Sequence, residues 1–369
     1  RAEASIEDVD LGREDLRAAL RPEWREWLDQ HVRAGRFGLE LEFGAGVGAS
    51  GIHARAHARE FRIEHPAVSI PLVGVSGEAE FDGTQLRVLN VRARDGDANL
   101  TADLIVDDVS TGALRATVRG EGLAFESGLV ASLTDPDVRR IIADYGPQGS
   151  FDLFVDLTRK SGGELRTAWR AVPRADASAS FIGHLRKNGR FVGFPYRLHG
   201  LTGEISGNGG HVDIQRITGR HNGGDFAVVE GFVDTQPEGT AFEINVRATQ
   251  APFDKALRDG LDVVKPGVGS LVDSFHPEGK VDLFVSVAAS HTQIGATVRG
   301  DVRTRGSKMR YDVFPYALHD VTGHVAFDDD VYTVHGLEGR HGNGTVKVTG
   351  TITQVGESDV ALDLKIAAR

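Results

Sequence analysis

Apolar and polar residues alternate along most of the chain with a period of two. Phe242, Ile244 and Val246 alternate with Glu243, Asn245 and Arg247. Val281, Leu283, Val285 and Val287 form a second such run, and Val360, Leu362, Leu364 and Ile366 a third. Successive side chains of a strand point to opposite faces, so each run predicts a strand with one apolar and one polar face. Glycine-rich stretches such as "NGG" and "GNG" separate the runs, as hairpins require. Three stretches break the alternation. Pro22 opens "EWREWLDQHV", where Trp24, Trp27, Leu28 and Val32 share one helical face. Asp135 and Pro136 supply an N-cap and a first helical position for "DVRRIIADY", and "PFDKALRDGL" (Pro252–Leu261) forms the third. A glycine closes the first two.

The pattern repeats. "FPYRLHGLTG" at Phe194–Gly203 returns as "FPYALHDVTG" at Phe314–Gly323, and "GRH" at Gly219–His221 returns at Gly339–His341, both 120 residues later. A fainter copy, Val75–Leu104, aligns with Leu201–Glu230 at an offset of 126, placing Asp95 on His221. "GRFGLELEF" (Gly35–Phe43), "GSFDLFVDL" (Gly149–Leu157) and "GKVDLFVSV" (Gly279–Val287) are one phrase in three spellings, each after a helical stretch. Units of this size that recur in series share a core with their neighbours. The predicted fold is mainly β: antiparallel meander units of about 120–130 residues, each with one short helical segment, forming an extended curved sheet with an apolar groove. The expected divisions are 1–36, the helical tail of a preceding unit; 37–150 and 151–280, two full units; and 281–369, a third cut short. The expected chain is therefore a piece of a longer protein.

Composition narrows the function classes. The chain of 369 residues carries 53 acidic and 42 basic side chains, a net charge of −11, which argues against a nucleic-acid partner. Cysteine is absent, which removes disulfides, thiolate zinc sites and thiol catalysis. No apolar run reaches the roughly 20 residues that span a bilayer as a helix.

The stretches that could carry chemistry have plainer readings. Gly46, Gly48 and Gly51 satisfy G-x-G-x-x-G, but Ile52, Ala54, Ala56 and Ala58 then alternate as a strand, where a dinucleotide site needs a helix. His199 and His319 recur, as do His221 and His341, but Val73 and Asp95 replace them in the first unit. They read as exposed turn histidines, with no metal and no cofactor expected. Asp107–Asp108 and Asp328–Asp330 read as solvated turns, since the calcium-loop spacing is missing. No nucleophile elbow, acid–base pair or phosphate loop is found, so no enzyme is expected.

The order of these phrases resembles the AsmA-like family of bacterial envelope proteins, the group with AsmA, TamB and YhdP branches. Phe194–Pro195–Tyr196, Gly203, Gly219–His221, Gly231 and Pro277–Gly279 with Val281–Val285 carry the likeness, as do Phe314–Pro315–Tyr316, Gly323, Gly339–His341 and Gly350. The first unit departs from it, with "IPLVGVSG" in place of "FPYRLHGLTG". The resemblance implies a periplasmic protein, anchored to the inner membrane by a segment outside this chain. It implies that such a protein carries phospholipid or another acyl lipid toward the outer membrane through an apolar β-groove, with an outer-membrane partner.

The residues leave two architectures open. One short helical segment per unit is too little to cover the apolar face, so the face either closes on itself as a filled sandwich or stays open as a groove. In the groove reading, Phe242, Ile244, Val246, Val281, Leu283, Val285, Val287, Val360, Leu362, Leu364 and Ile366 line the lipid path. The alternative is a structural or adhesive β-repeat array without a ligand.

Overall fold

The computed structural model is an antiparallel meander of twenty strands that does not close into a barrel, with 72% of residues in strands and 8% in helices. It describes all residues except 49, 66–67, 132–138, 186–190, 223, 265–267, 293–295, 313, 356–359 and parts of 14–31 and 140–144. Strand β1 (Ala2–Asp10) precedes a group of six: β2 (Val32–Phe43), β3 (Ile52–His65), β4 (Val68–Phe81), β5 (Leu86–Asp95), β6 (Ala98–Asp108) and β7 (Ala113–Ala124). Helix α1 (Gly128–Ala131) follows. The second group is β8 (Ser150–Arg159), β9 (Leu165–Pro173), β10 (Ser178–Leu185), β11 (Phe191–Asn208), β12 (His211–His221), β13 (Gly224–Gln236) and β14 (Gly239–Pro252). Helices α2 (Lys255–Val264) and α3 (Val268–Ser274) lead into β15 (Lys280–Ala289), β16 (Thr297–Tyr311), β17 (Phe314–Asp328), β18 (Val331–His341), β19 (Gly344–Gln354) and β20 (Val360–Ala368). β9 and β10 together take the place that the single strand β16 takes in the last group.

The chain forms two compact units. One comprises Arg1–Arg139, Gln148–Arg174 and Ser206–Gly209, the other Arg140–Pro147, Ala175–Ile205 and Gly210–Arg369. The first holds β1 through β9, and the second holds β12 through β20 and most of the two strands before them.

The repeated phrases occupy repeated positions. β2, β8 and β15 each follow a helical stretch and carry a glycine in or just before their first turn, Gly35, Gly149 and Gly279, whose carbonyls accept the N–H of Leu11, Phe125 and Phe253 at 3.0, 3.0 and 3.1 Å. An aspartate of the second and third of these strands then fixes a bulge in the strand before it. Asp152 Oδ1 accepts the Gly122 N–H at 2.8 Å, and Asp282 Oδ1 accepts the Gln250 N–H at 3.0 Å. Both bulge residues have positive φ, +70° and +54°. An arginine from the next segment pairs with each carboxylate, Arg174 with Asp152 and Arg305 with Asp282, both at 2.7 Å.

The shared glycine of the ten-residue phrase has the same origin. A Cβ on Gly203 would lie 2.4 Å from the Arg216 carbonyl oxygen, and one on Gly323 would lie 2.3 Å from that of Gly336. Their φ values of +119° and +150° exclude other residues as well.

One expectation changes here and one is met. The stretch 1–36 is not helical throughout, because Ala2–Asp10 is a strand and Val32 opens β2 rather than ending a helix. Trp24, Trp27, Leu28 and residues 135–138 lie outside the described residues. The glycines of "GAGVGASG" form the loop between β2 and β3, so no helix follows them.

Candidate functional site: an uncovered apolar face

Directly opposed residues in a sheet project to the same face, so the register defines the composition of each face. In the second unit one row runs Ile217, Val229, Val246, Val285, Gly300, Phe327, Tyr332, Ile352 and Leu362, crossing nine strands from β12 to β20. The neighbouring row runs Ala248, Leu283, Val302, Val325, Val334, Gly350 and Leu364. Ile244 opposes Val287, Phe242 opposes Ala289, and Ile366 opposes Val348. Val360 opposes Gln354 two places beyond the Ile352–Leu362 pair. All eleven residues singled out by alternation therefore lie on one face. No charged side chain interrupts these rows.

The other face is polar. Glu243, Asn245 and Arg247 alternate with the apolar set on β14, and Arg299 and Arg303 pair with Asp328 and Asp301 at 3.0 and 3.2 Å. Phe284 faces this side too, beneath the Arg247 guanidinium 5.2 Å from its ring. Phe154 and Arg170 repeat that arrangement at 4.3 Å in the first unit. These exposed ion pairs contribute little to stability, about 1 kcal/mol or less each.

The first unit has the same division. Ile6, Leu39, Ala56, Ala79, Val88, Leu104, Ala116 and Leu157 form one row across eight strands. The row beside it ends on Val118, Val155 and Trp169.

Among the described residues, the helices cover one end of the face. Asp254 caps α2, its Oδ1 accepting the Leu257 N–H at 2.9 Å, as an N-cap carboxylate does. Leu257 packs with Tyr196, Ala248, Ala251, Val281 and Leu283 in the core cluster. Val281 and Leu283 are 2% and 9% exposed, so they belong to this packing and not to an accessible lining. In the first unit the corresponding corner is filled by Leu123, Val130 and Phe151, with the rings of Phe125 and Phe151 stacked at 4.4 Å.

Beyond that corner the face is not sealed. Phe242, Ile244, Val246, Val285, Val287 and Leu364 are half-buried. Val360, Leu362 and Ile366 are 38%, 44% and 61% exposed. Val334 and Ile352, at 4% and 7%, are the buried members of the rows beyond the helix.

One histidine departs from expectation. His199, His319 and His341 are exposed, but His221 is 8% exposed and holds the helix to the strands. Its Nδ1–H donates to the Arg197 carbonyl at 2.6 Å, and its Nε2 lies 3.0 Å from Asp254 Oδ2. The Tyr196 ring lies against it with centroids 3.7 Å apart. Asn222 Nδ2 also donates to Asp254 Oδ2, at 2.8 Å. Burial pushes the Asp254 pKa up, but hydrogen bonds from the Leu257 N–H, Asn222 and His221 outweigh it, and the net shift is downward. Sequence spacing gave no sign of this contact, because Asp254 lies a whole hairpin away.

Among the described residues, no three His, Asp or Glu side chains converge as metal ligands, and no helix is long and apolar enough to cross a membrane. No protein-family model, curated protein or solved structure matches this chain.

Proposed function

We propose that this chain is a segment of a lipid conduit, in which the apolar faces of successive repeat units carry acyl chains between envelope membranes. The observation that supports it most is the uncharged face of the second unit, which crosses nine strands and which, among the described residues, is covered by a helix at one end only. An uncovered apolar face in water costs free energy in proportion to its area, and a ligand that supplies methylene groups removes that cost. An acyl chain of about 16 carbons gains roughly 10 kcal/mol on full transfer from water. A lipid arriving from a bilayer gains far less, since it leaves an equally apolar medium. Such a face holds lipid near balance, and balance is the condition for movement along it. The lining is mainly aliphatic, which suits acyl chains better than sugar rings.

The resemblance to the AsmA-like group gives the proposal its setting: the periplasm, an inner-membrane anchor outside this chain, phospholipid as cargo and an outer-membrane partner. No reaction is assigned to the chain. Photo-crosslinking residues introduced in cells at Ile244, Val285 and Leu362 test the reading. Phospholipid adducts at these sites, and none at Glu243 or Arg303 on the polar face, are the expected result. Absence of adducts at all three leaves a ligand-free structural array as the better account.

A further inference from the structure

The apolar face of the first unit carries polar groups at three positions where the second unit has none. On β8 and β9 the register sets Val155 opposite Trp169, Leu157 opposite Thr167 and Arg159 opposite Leu165. Val155, Leu157 and Arg159 alternate onto one face, so Trp169, Thr167 and Arg159 share it. They stand in successive rows about 7 Å apart, from the corner filled by Phe151 toward the far rim. Gly149 and Gly279 are 130 residues apart, which equates Arg159 with Ala289. The register equates Thr167 with Val298 and Trp169 with Gly300, which oppose Val287 and Val285. The same strands therefore form without the polar set.

Each group is positioned by the sheet and keeps donors to spare. Arg159 Nε–H donates to the Gly112 carbonyl at 2.7 Å, and a Cβ on Gly112 would lie 2.8 Å from its Nη2, so the guanidinium rests on that turn. Among the described residues no carboxylate pairs with it. The Trp169 ring covers Gly207 of β11, where a Cβ would lie 2.5 Å from Nε1 and from Cε2. Cover of a glycine accounts for an aromatic ring but not for an indole N–H. Among the described residues nothing accepts that N–H, and nothing bonds the Thr167 hydroxyl. Arg159, Thr167 and Trp169 are half-buried and Leu165 is 52% exposed, so a ligand can reach all three.

We propose that Arg159, Thr167 and Trp169 form a headgroup subsite for a glycerophospholipid, an inference that rests on the reading of the face as a lipid path. The Arg159 guanidinium takes the phosphodiester as a charge-assisted pair. The Thr167 hydroxyl and the Trp169 N–H, one and two rows further in, donate to the ester carbonyls. Tryptophan suits that level, with an apolar body and a single donor at its edge. The acyl chains continue across Val155, Val118 and Ala102, an uncharged row. A lipid without phosphate leaves the guanidinium without its anion, so the subsite selects by headgroup where the second unit does not.

The test mixes the lipid-free 369-residue chain with phosphatidylcholine vesicles holding a minor fraction of diacylglycerol. Retained lipid is measured by mass spectrometry and normalised to the vesicle composition. The expected result is a preference of about tenfold for the phospholipid. Arg159→Gln should remove most of that preference, and Arg159→Lys, which keeps the charge, should retain most of it. Trp169→Phe keeps a ring over Gly207 and loses the N–H, and should lower phospholipid retention about threefold. Excess glycerol phosphate should not displace the lipid. Equal retention of the two lipids, or an unchanged preference in Arg159→Gln, overturns the proposal and leaves the lipid path standing. Displacement by glycerol phosphate assigns the groups to a soluble phosphate ester and also overturns it. Retention of neither lipid removes the lipid path itself, and the subsite with it.

Discussion

The two copies of the Tyr–His motif form nearly the same local structure and end in different states. In each, a histidine donates to a carbonyl 24 residues earlier and an aromatic ring lies against the imidazole. Around His221 the helix α2 arrives with Asp254, and Tyr196, Ala248, Ala251 and Val281 become core. Around His341 the same scaffold is solvent-exposed. The helix converts part of an exposed apolar face into packed interior, and it does so at one end only. Elsewhere the face keeps the half-buried character of Ile244, Val285 and Val287.

The largest effect should come from the covered end. Leu257→Ala removes the side chain that fills the corner and should destabilise the second unit by about 2–5 kcal/mol in denaturant titration. Leu362→Ala, on the uncovered stretch, should cost about 1 kcal/mol or less. Equal losses would mean that the face is packed throughout.

A smaller effect is expected at the histidines. His221→Ala removes one donor each from Asp254 and the Arg197 carbonyl at a buried corner and should cost about 1–3 kcal/mol. His341→Ala should cost about 0.5 kcal/mol or less, as exposed substitutions do. Thermal unfolding of the two variants compares them directly, and a His341 loss as large as that of His221 would contradict the difference in cover.

Asp254 gives the comparison a pH dependence. Its pKa is lower folded than unfolded, so its contribution is fully present above the unfolded value of about 3.9 and is lost as pH falls through the lowered folded value. Asp254→Asn keeps an N-cap acceptor but loses the charged acceptor of the His221 and Asn222 hydrogen bonds; it should cost about 1 kcal/mol near neutral pH, and the gap to the parent should close in acid. A gap that widens in acid would show that the sign of the shift is wrong.

Much of the fold could be read from local pattern. Period-two alternation places a side chain on a face without reference to anything distant, so the runs at Phe242–Val246 and Val360–Ile366 were sufficient to predict their strands. Cover could not be read in that way. Val281 and Leu283 have the same alternation as Val285 and Val287, yet the first pair lies under α2, in a cluster that Leu257 and Tyr196 complete from elsewhere in the chain. His221 misled for the same reason. Its tripeptide is that of His341, and the sites differ in what reaches them from further along the chain, Asp254 and Leu257 of the capped helix.

The central claim is that the face beyond the helix is accessible and takes acyl chains, and Ile244→Asp tests it most directly through two readings on one purified variant. A charge in a sealed core costs several kcal/mol. On a half-buried, uncovered face the unfolding free energy should fall by about 1 kcal/mol, and native mass spectrometry should show loss of the phospholipid that the parent chain retains. A variant that unfolds, beside a parent that carries no lipid, would contradict the account and establish a filled sheet.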